Sequence, residues 1–164
     1  MNQTERTDLG EKGEGFVAKA PPPDPKMVVR NKTRNTQLGD RVDVAGSGAK
    51  RTKGLLGRKG LAPGEGMWIV PCESVHTFFM RFPIDLVYID RKQRVRKVRN
   101  SVPPWRLSAC LSAHSILELP AGTIQDSLTE AGDILEIVDA SQAAGMPSCL
   151  ITGDMRHGFL AEMD

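Results

Sequence analysis

The segment from Pro71 to Asp90 constrains the fold of this chain more than any other stretch. It holds three of the five phenylalanines, the only tyrosine, and one each of the three cysteines and three histidines. A stretch so rich in large apolar groups is expected to pack in the core of a globular domain. Because it also carries thiol, imidazole and charged side chains that a core does not need, we expect the functional site to lie beside it.

Composition divides the chain into a central domain and two tails. The 164 residues suffice for one domain with additional segments. Residues 1–26 are rich in glycine, proline and charge and have almost no large apolar groups, which predicts a disordered N-terminal tail. Glycine, proline and small residues return from residue 140 onward. We therefore predict one globular domain over residues 27–139 and a poorly ordered C-terminal tail over residues 140–164.

Charge and hydropathy argue against several classes of protein. The formal net charge of +2 is too small to indicate a nucleic-acid partner by itself. No apolar run approaches the ~18–20 residues that a membrane-spanning helix needs, and the N-terminal region lacks the apolar centre of a secretory signal. The cysteines (Cys72, Cys110 and Cys149) are odd in number and widely spaced, which is typical of reduced thiols. We expect a cytoplasmic protein without a membrane partner, and the sequence identifies no cofactor.

Short apolar runs separated by turn residues predict a mainly β domain. Apolar and charged residues alternate over residues 41–44, as in a half-buried strand. Ser47 and Thr123 are predicted to cap two short helices, over residues 48–56 and 124–131. Repeats of βαβ size are missing from the sequence, which disfavours a doubly wound parallel sheet. We predict an α+β, mainly β fold with a compact mixed or barrel-like sheet of about seven short strands and two short helices. The apolar runs that predict strands lie at residues 27–31, 37–44, 67–70, 75–80, 86–89, 95–99, 115–119 and 133–138.

Cys72, His76 and Met80 are spaced four residues apart and carry soft ligand atoms. Such ligands suit Cu(I) or Zn(II). In a fully extended strand, however, residues four apart lie roughly 13 Å from one another, too far for one ion to join them. Cys72 and His76 could meet only if the chain bends at Glu73 and Ser74. We therefore assign no metal site to this spacing.

A nucleophilic pair of Cys72 and His76 is the enzymatic alternative. The thiolate would need a base or a positive neighbour to lower its pKa, and Arg58 or Arg81 could supply the charge. No third, orienting residue is identifiable in the sequence. A metal- or thiol-dependent enzyme centred on this pair stays open as an alternative function.

Asp85 and Trp105 are further candidate site residues. An acid at the head of a buried strand usually caps a turn or pairs with an arginine, so we prefer a structural ion pair to acid–base catalysis for Asp85. The candidate partners of this carboxylate are Arg58, Arg81 and Arg106. Trp105 lies in a predicted loop, where a tryptophan can form the rim of a binding site as readily as it can pack in a core.

The segment from Arg91 to Arg99 holds six basic residues and no acid. Such a segment could contact phosphates or RNA. We favour a solvated hairpin whose charges protect an edge strand, because aromatic residues that would stack on bases are not interleaved with the basic ones. RNA or phosphate binding through this segment remains a second alternative function.

Five motifs occur in a fixed order along the chain: Gly54-Leu55-Leu56-Gly57-Arg58, Gly66-Met67-Trp68-Ile69, the segment Cys72 to Asp85, Pro104-Trp105-Arg106, and Leu117-Glu118-Leu119-Pro120-Ala121-Gly122. Together they resemble the "domain of unknown function 192" family of bacteria and archaea. The resemblance extends over residues 27–138 and implies a small, single-domain, mainly β fold with short helices. It implies no established activity, substrate or cofactor. The chain departs from the family pattern at residues 46–49, where small residues replace bulkier ones.

These observations lead to a first hypothesis about function. We predict a non-catalytic binding module that accepts a small anionic ligand or a short peptide segment in a groove. The polar, soft and aromatic groups within and near one apolar strand pair motivate this hypothesis. The candidate ligand-binding residues are Arg58, Cys72, His76, Met80, Arg81, Asp85 and Trp105.

Overall fold

The computed structural model describes residues 25–143 and confirms the predicted mainly β architecture. Within these residues, nine strands and three short helices are formed. The strands are β1 (Met27–Asn31), β2 (Thr36–Ala45), β3 (Glu65–Ile69), β4 (Ser74–His76), β5 (Ile84–Ile89), β6 (Val95–Val102), β7 (Leu107–Ala109), β8 (Ser115–Pro120) and β9 (Leu135–Asp139). The helices are α1 (Gly48–Lys53), α2 (Thr123–Asp126) and α3 (Ala140–Ala143).

Seven of the strands form one mixed sheet in the order β6-β5-β8-β3-β2-β1-β9. β2 and β3 run parallel, and the other neighbouring strands are antiparallel. The two edges of this sheet meet at one end. There Val95 N donates to Asp133 O over 2.8 Å, and Arg94 forms a β-bridge with Ile134. The sheet is therefore curled into a half-barrel, as the sequence predicted.

The interior strand β5 separates two apolar clusters. Its six residues are all buried, because side chains that alternate between the two faces of the sheet meet a covered face on either side. The first core contains Val29, Leu38, Val42, Val87, Ile89, Val95, Leu117, Leu119, Ile124, Leu135 and Ile137. The second core, on the opposite face of β5, contains Ala45, Leu55, Met67, Ile69, Met80, Ile84, Leu86, Tyr88, Val102, Ala113 and Ile116.

Both helices that the sequence predicted are shorter in the structure. Ser47 caps α1 as predicted, because its hydroxyl accepts a hydrogen bond from a backbone N–H of the first turn. α1 ends at Lys53, since Gly54 follows with a φ of +47°. The second helix, α2, covers four residues instead of eight. Thr123 does not cap it, because the Thr123 hydroxyl donates to Pro120 O in the preceding turn.

The strand predicted over residues 75–80 is wrong in its second half. β4 ends at His76, and the backbone of Phe79 has a φ of +62°, which is outside the range of a regular strand. The chain turns at this point, with Met80 N donating to Thr77 O. β4 pairs with β7, a strand that was not predicted, in a separate two-stranded sheet.

α3 continues the described chain beyond β9. Ala140 N donates to Lys26 O over 2.8 Å, so the start and the end of the described chain lie side by side. The rest of the two predicted tails, residues 1–24 and 144–164, lies outside the described residues. Across residues 25–143, the helices are too short or too polar to cross a lipid bilayer.

Candidate functional site

A cavity of about 330 Å³ lies between α1 and its following loop, β4 and the middle of β8. This volume is at the lower end of the ~300–1,000 Å³ range of small-molecule sites. We call it the Glu118 cavity, after the acid in its lining. Its apolar lining residues include Leu55, Leu56, Ile69, Val75 and Met80, and its polar ones include Arg51, Lys53, Cys72, His76 and Glu118.

Glu118 is the most unusual residue of this cavity. It sits in the middle of β8, its side chain points to the second-core face, and only 4% of it is exposed. Its Oε2 atom is buried and has no hydrogen-bond partner within residues 25–143. Burial raises the pKa of Glu118 from 4.5 to about 7, although the positive charge of Arg58 acts in the opposite direction. Near neutral pH this carboxyl group can therefore hold or release a proton.

The sequence-based prediction of the site did not include Glu118. One signal could have found it: Glu118 is the single charge in the otherwise uncharged segment Ser115–Pro120, which is apolar enough to be a buried strand. Buried acids are rare unless they are paired or have a functional role. The residue was noticed only as part of a motif, and no role followed from that.

Cys72 lies in the same lining and is held there by the backbone. Its N–H donates to His114 O over 2.9 Å, and its thiol donates to Ser74 O over 3.1 Å. Burial raises the pKa of the Cys72 thiol, and the nearby charge of Glu118 raises it further, whereas Arg51 has the opposite effect. The thiol form is thus favoured over the reactive thiolate.

His76 connects the cavity to a row of exposed and half-buried rings (His76, Phe78, Phe79 and Trp105) that we call the aromatic rim. The His76 ring stacks on Phe78 with centroids 5.2 Å apart, and Phe78 lies 5.8 Å from Trp105. Phe79 meets Trp105 edge to face at 4.7 Å. Phe79 is 71% exposed and Trp105 is 55% exposed. Large rings that stay in contact with solvent are available for binding.

Thr77 fixes the two turns that carry the aromatic rim. It is buried, its hydroxyl donates to Pro103 O over 2.8 Å, and the same oxygen accepts from Arg106 N over 2.9 Å. Thr77 O accepts from Trp105 N over 2.9 Å. Phe79 and Trp105 have φ values of +62° and +64°, an uncommon conformation for bulky residues. Such strain persists where neighbouring contacts determine the conformation, and it clusters at functional sites.

The structure places the seven predicted site residues in five locations. Cys72, His76 and Met80 line the Glu118 cavity, and Trp105 belongs to the aromatic rim beside His76. Arg58 lines an adjacent cavity of about 430 Å³, which shares Lys53, Gly54 and Leu56 with the first. The structure does not bring Asp85 or Arg81 into the lining of the Glu118 cavity.

Asp85 has a different environment from the one expected. It is fully buried on the first-core face of β5, and its carboxylate accepts hydrogen bonds from Ser101 N, Gly122 N and Ile124 N at 2.7, 3.1 and 2.8 Å. Among residues 25–143 it has no salt bridge, so the predicted ion pair with an arginine is wrong. The backbone N–H groups of β6 and of the start of α2 supply the stabilisation that an arginine was expected to give.

Arg58 and Arg81 also differ in their surroundings. Arg58 Nη2 donates to Asp43 Oδ2 over 2.6 Å, which fixes the guanidinium at the boundary of the two cavities. Arg81 is exposed in the turn between β4 and β5. Only Arg58 is close enough to Glu118 to affect its charge.

Cys72, His76 and Met80 do not lie on one extended strand, because the chain turns after β4. The three residues do line one cavity, which the extended-strand geometry alone would not allow. In the described part of the chain, however, no three His, Cys, Asp or Glu side chains are grouped closely enough to hold a metal ion.

The basic segment 91–99 is partly used by the fold. Lys97 Nζ lies 5.4 Å from the centroid of the Tyr88 ring, where it makes a cation–π contact. Other basic residues of the segment line a separate cavity together with Glu73 and Asp90. No Phe, Tyr or Trp is among the described residues that line it. Acidic neighbours and the lack of stacking rings weaken the case for binding RNA here.

Comparison with solved structures supports the observed fold. A protein of unknown function from Novosphingobium aromaticivorans superposes with a TM-score of 0.59 at 20% sequence identity, over 67% of this chain and 82% of that one. A proposed transcription regulator from Sinorhizobium meliloti gives a TM-score of 0.60 at 23% identity, over 68% of this chain and 92% of that one. At these identities the similarity concerns the fold alone.

Sequence relatives come from archaea. A UPF0127 protein of Thermococcus sibiricus is 30% identical over 127 residues, which cover 72% of this chain and 79% of that protein. A UPF0127 protein of Pyrococcus horikoshii is 33% identical over 114 residues, which cover 65% and 95% of the two chains. The sequence profile of DUF192, described as "uncharacterized ACR", matches residues 28–137. This span contains the half-barrel, the Glu118 cavity and the aromatic rim, and the chain belongs to the DUF192 family.

Proposed function

We propose that this domain is a non-catalytic binding module whose ligand, a small molecule with an anionic group or a short peptide segment, occupies the Glu118 cavity. One observation carries the proposal: one small space is surrounded by apolar walls, basic side chains and a buried acid whose Oε2 has no hydrogen-bond partner within residues 25–143. The buried acid destabilises the folded protein when it is ionised. A ligand that contacts this acid would offset this cost, which the packing around the acid does not.

The charge of the lining supports an anionic group on the ligand. Arg51 and Lys53 both line the cavity, and guanidinium and ammonium groups bind carboxylates and phosphates. The apolar wall, which includes Leu56 and Met80, suits an aliphatic or aromatic portion of the same ligand. Mixed apolar and basic chemistry of this kind favours an organic acid or peptide over an inorganic ion.

The aromatic rim supports the peptide form of the ligand. His76 takes part in both the cavity lining and the row of rings, so the two surfaces are continuous. A peptide that leaves the cavity at His76 would meet Phe78 and Trp105 next. Exposed rings on a backbone that is already fixed lose little conformational entropy on binding.

The proposal is tested by blocking the cavity without touching its charged groups. Thr52 is exposed on α1 and lines the cavity, whereas Ala49 is exposed on the same helix and does not. Native mass spectrometry and calorimetry of the full chain would be run with a panel of carboxylic acids, phosphates and short peptides. We expect binding by the wild type and Ala49→Trp, and loss of binding in Thr52→Trp. Equal binding by Thr52→Trp, or no binding by any member of the panel, would overturn the proposal.

A thiol-dependent enzyme is the second candidate, because Cys72 and His76 line the same cavity. Its weakness is the thiol, whose pKa is raised by burial. Iodoacetamide labelling of the full chain, with each cysteine followed by peptide mapping, separates the two candidates. The binding-module proposal expects Cys72 to react slowly at pH 7 and faster only at alkaline pH. Rapid labelling of Cys72 at pH 7 would favour the enzyme.

A further inference from the structure

We infer that the ligand of the Glu118 cavity is a zwitterion with an apolar side chain, which places its ammonium group at Glu118 and its carboxylate toward Arg51 and Lys53. An apolar α-amino acid and a short peptide with free ends share this chemistry. The inference rests on the function proposed above and names the class of ligand.

The unpartnered carboxylate carries the inference. Glu118 is 4% exposed and lines the cavity, and its buried Oε2 atom receives no hydrogen bond from residues 25–143. A buried acceptor without a donor is costly, and a charged acceptor more so. An ammonium group brings three donors and a compensating charge to the same place.

Two guanidinium groups near the cavity do not meet this need. Arg58 Nη2 is bonded to Asp43, and Arg51 Nη1 donates to Gly46 O over 2.6 Å. The structure records no hydrogen bond from either guanidinium to Glu118, and the pKa of Glu118 stays high in their presence. The donor that completes Glu118 is therefore expected to come with the ligand.

A ligand with only a negative charge fits this lining poorly. Its carboxylate would find Arg51 and Lys53, but the same small volume would confront it with Glu118. Like charges at such distances disfavour each other unless one takes up a proton. A zwitterion offers an ammonium group to the acid and a carboxylate to the basic residues of the lining. The aliphatic environment for its side chain is provided by Leu55, Leu56, Ile69 and Val75.

Size agrees with this ligand class. A cavity of about 330 Å³ is small among ligand sites, so few heavy atoms can be enclosed. An amino acid places its two charged groups on one carbon atom and its apolar group on the next. That compact arrangement matches a lining in which acid, bases and aliphatic side chains surround one small space.

The test is a matched series of ligands measured by titration calorimetry on the full chain. L-leucine, with L-methionine and L-valine as further amino acids, is compared with N-acetyl-L-leucine, which lacks the ammonium charge, and with isopentylamine, which lacks the carboxylate. Leucyl-leucine is added to distinguish a peptide from a free amino acid. We expect at least one zwitterion to bind about tenfold or more tightly than either truncated analogue.

Glu118→Gln tests the residue itself. We expect it to weaken zwitterion binding by about tenfold or more, whereas binding of N-acetyl-L-leucine should stay the same or tighten, because the repelling carboxylate is gone. Glu73→Gln is the matched control, because Glu73 is an exposed acid one residue from Cys72 and does not line the cavity. It should bind as the wild type does.

Three outcomes separate the inference from the proposed function. If N-acetyl-L-leucine or another simple acid binds as tightly as the zwitterions, the inference is overturned and the binding module stands. If Glu118→Gln binds zwitterions as the wild type does, the inference is also overturned. If neither this series nor the earlier panel of acids and peptides binds, both proposals fail.

Discussion

Two acids are buried on paired strands of the same sheet, and their surroundings could hardly differ more. Asp85 on β5 is fully buried on the first-core face, and three backbone N–H groups donate to it. Glu118 on the neighbouring strand β8 is 4% exposed on the second-core face, and its Oε2 has no partner in the described part of the chain. One strand position separates them, since Asp85 pairs with Leu119.

The difference indicates what each acid is for. A buried carboxylate that accepts several N–H groups joins loops together and contributes to stability. A buried carboxylate without donors reduces stability and is found where a ligand or a reaction needs it. On this interpretation the first-core side of the sheet serves stability, whereas the second-core side carries the proposed site.

The largest effect that would sharpen this comparison is expected from Asp85→Ala. It leaves three backbone N–H groups without their acceptor, so the free energy of unfolding should fall by about 4 kcal/mol or more. Urea denaturation followed by circular dichroism measures the change. Asp126→Ala, an exposed acid on α2, is the control and should change stability by less than about 0.5 kcal/mol. A loss below about 1 kcal/mol for Asp85→Ala would contradict the structural role.

The second-largest expected effect is a pH dependence of the free energy of unfolding that is caused by Glu118. The ordinary pKa of a glutamate side chain is 4.5, and in the folded protein the pKa of Glu118 is about 7. Between these two pH values the folded protein therefore keeps a proton that the unfolded chain releases. Stability therefore falls as the pH rises across this window, by about 3 kcal/mol in total from this one group. Glu118→Gln should remove that decline and match the wild type in slope below pH 4.5. Parallel stability curves for the two proteins between pH 4.5 and 7 would break the comparison.

A smaller effect on the free energy of unfolding is expected at Thr77. Like Asp85, this side chain has hydrogen-bond partners in the structure, but it lies on the same side of the molecule as the proposed site. Thr77→Val keeps the shape and removes the hydroxyl that bonds to Pro103 O and Arg106 N. The expected loss is about 2 kcal/mol in urea denaturation. Tryptophan fluorescence should report a rearranged Trp105 as well. Thr77→Ser retains the hydroxyl and should lose roughly half as much; equal losses would show that the hydroxyl is unimportant.

The smallest expected effect is a change in the pKa of Glu118 when the nearby positive charge of Arg58 is removed. Arg58 lowers the pKa of Glu118, so Arg58→Gln should raise that pKa further and move the midpoint of the pH-dependent stability change to higher pH. The midpoint is the readout, because the lost ion pair with Asp43 affects overall stability by itself. Arg81→Gln, at an exposed position in the turn after β4, should leave the midpoint in place. A shift in both variants would point to a general charge effect.

The fold was largely predictable because local patterns determine it. The apolar runs at residues 86–89 and 115–119 became most of the interior strands β5 and β8, and Ser47 caps α1 as its side chain suggested. Predictions failed where tertiary contacts overrode propensity. Residues 77–80 are β-branched, aromatic and apolar, yet hydrogen bonds centred on Thr77 hold them in a turn.

The site was predictable only in part, for a related reason. Cys72, His76 and Met80 are close in sequence and were found together. Glu118 and Arg51 reach the same cavity from strands and helices distant in the chain, which no spacing rule can reveal. Asp85 looked equally suitable, but the alternation of side chains along β5 directs it to the other face.

The pairing of the first and last strands has a consequence for how the protein is made. β1 contributes Met27 and β9 contributes Asp139, and these residues pair although 112 positions separate them in the chain. Asn31 also donates its side-chain amide to Asp133 over 2.8 Å. During synthesis β1 can pair with β2 early, but it cannot pair with β9 until nearly all of the domain has left the ribosome. Such distant contacts slow folding, so completion of the half-barrel is a late event that leaves an unpaired strand edge exposed to chaperones or to other chains in the meantime.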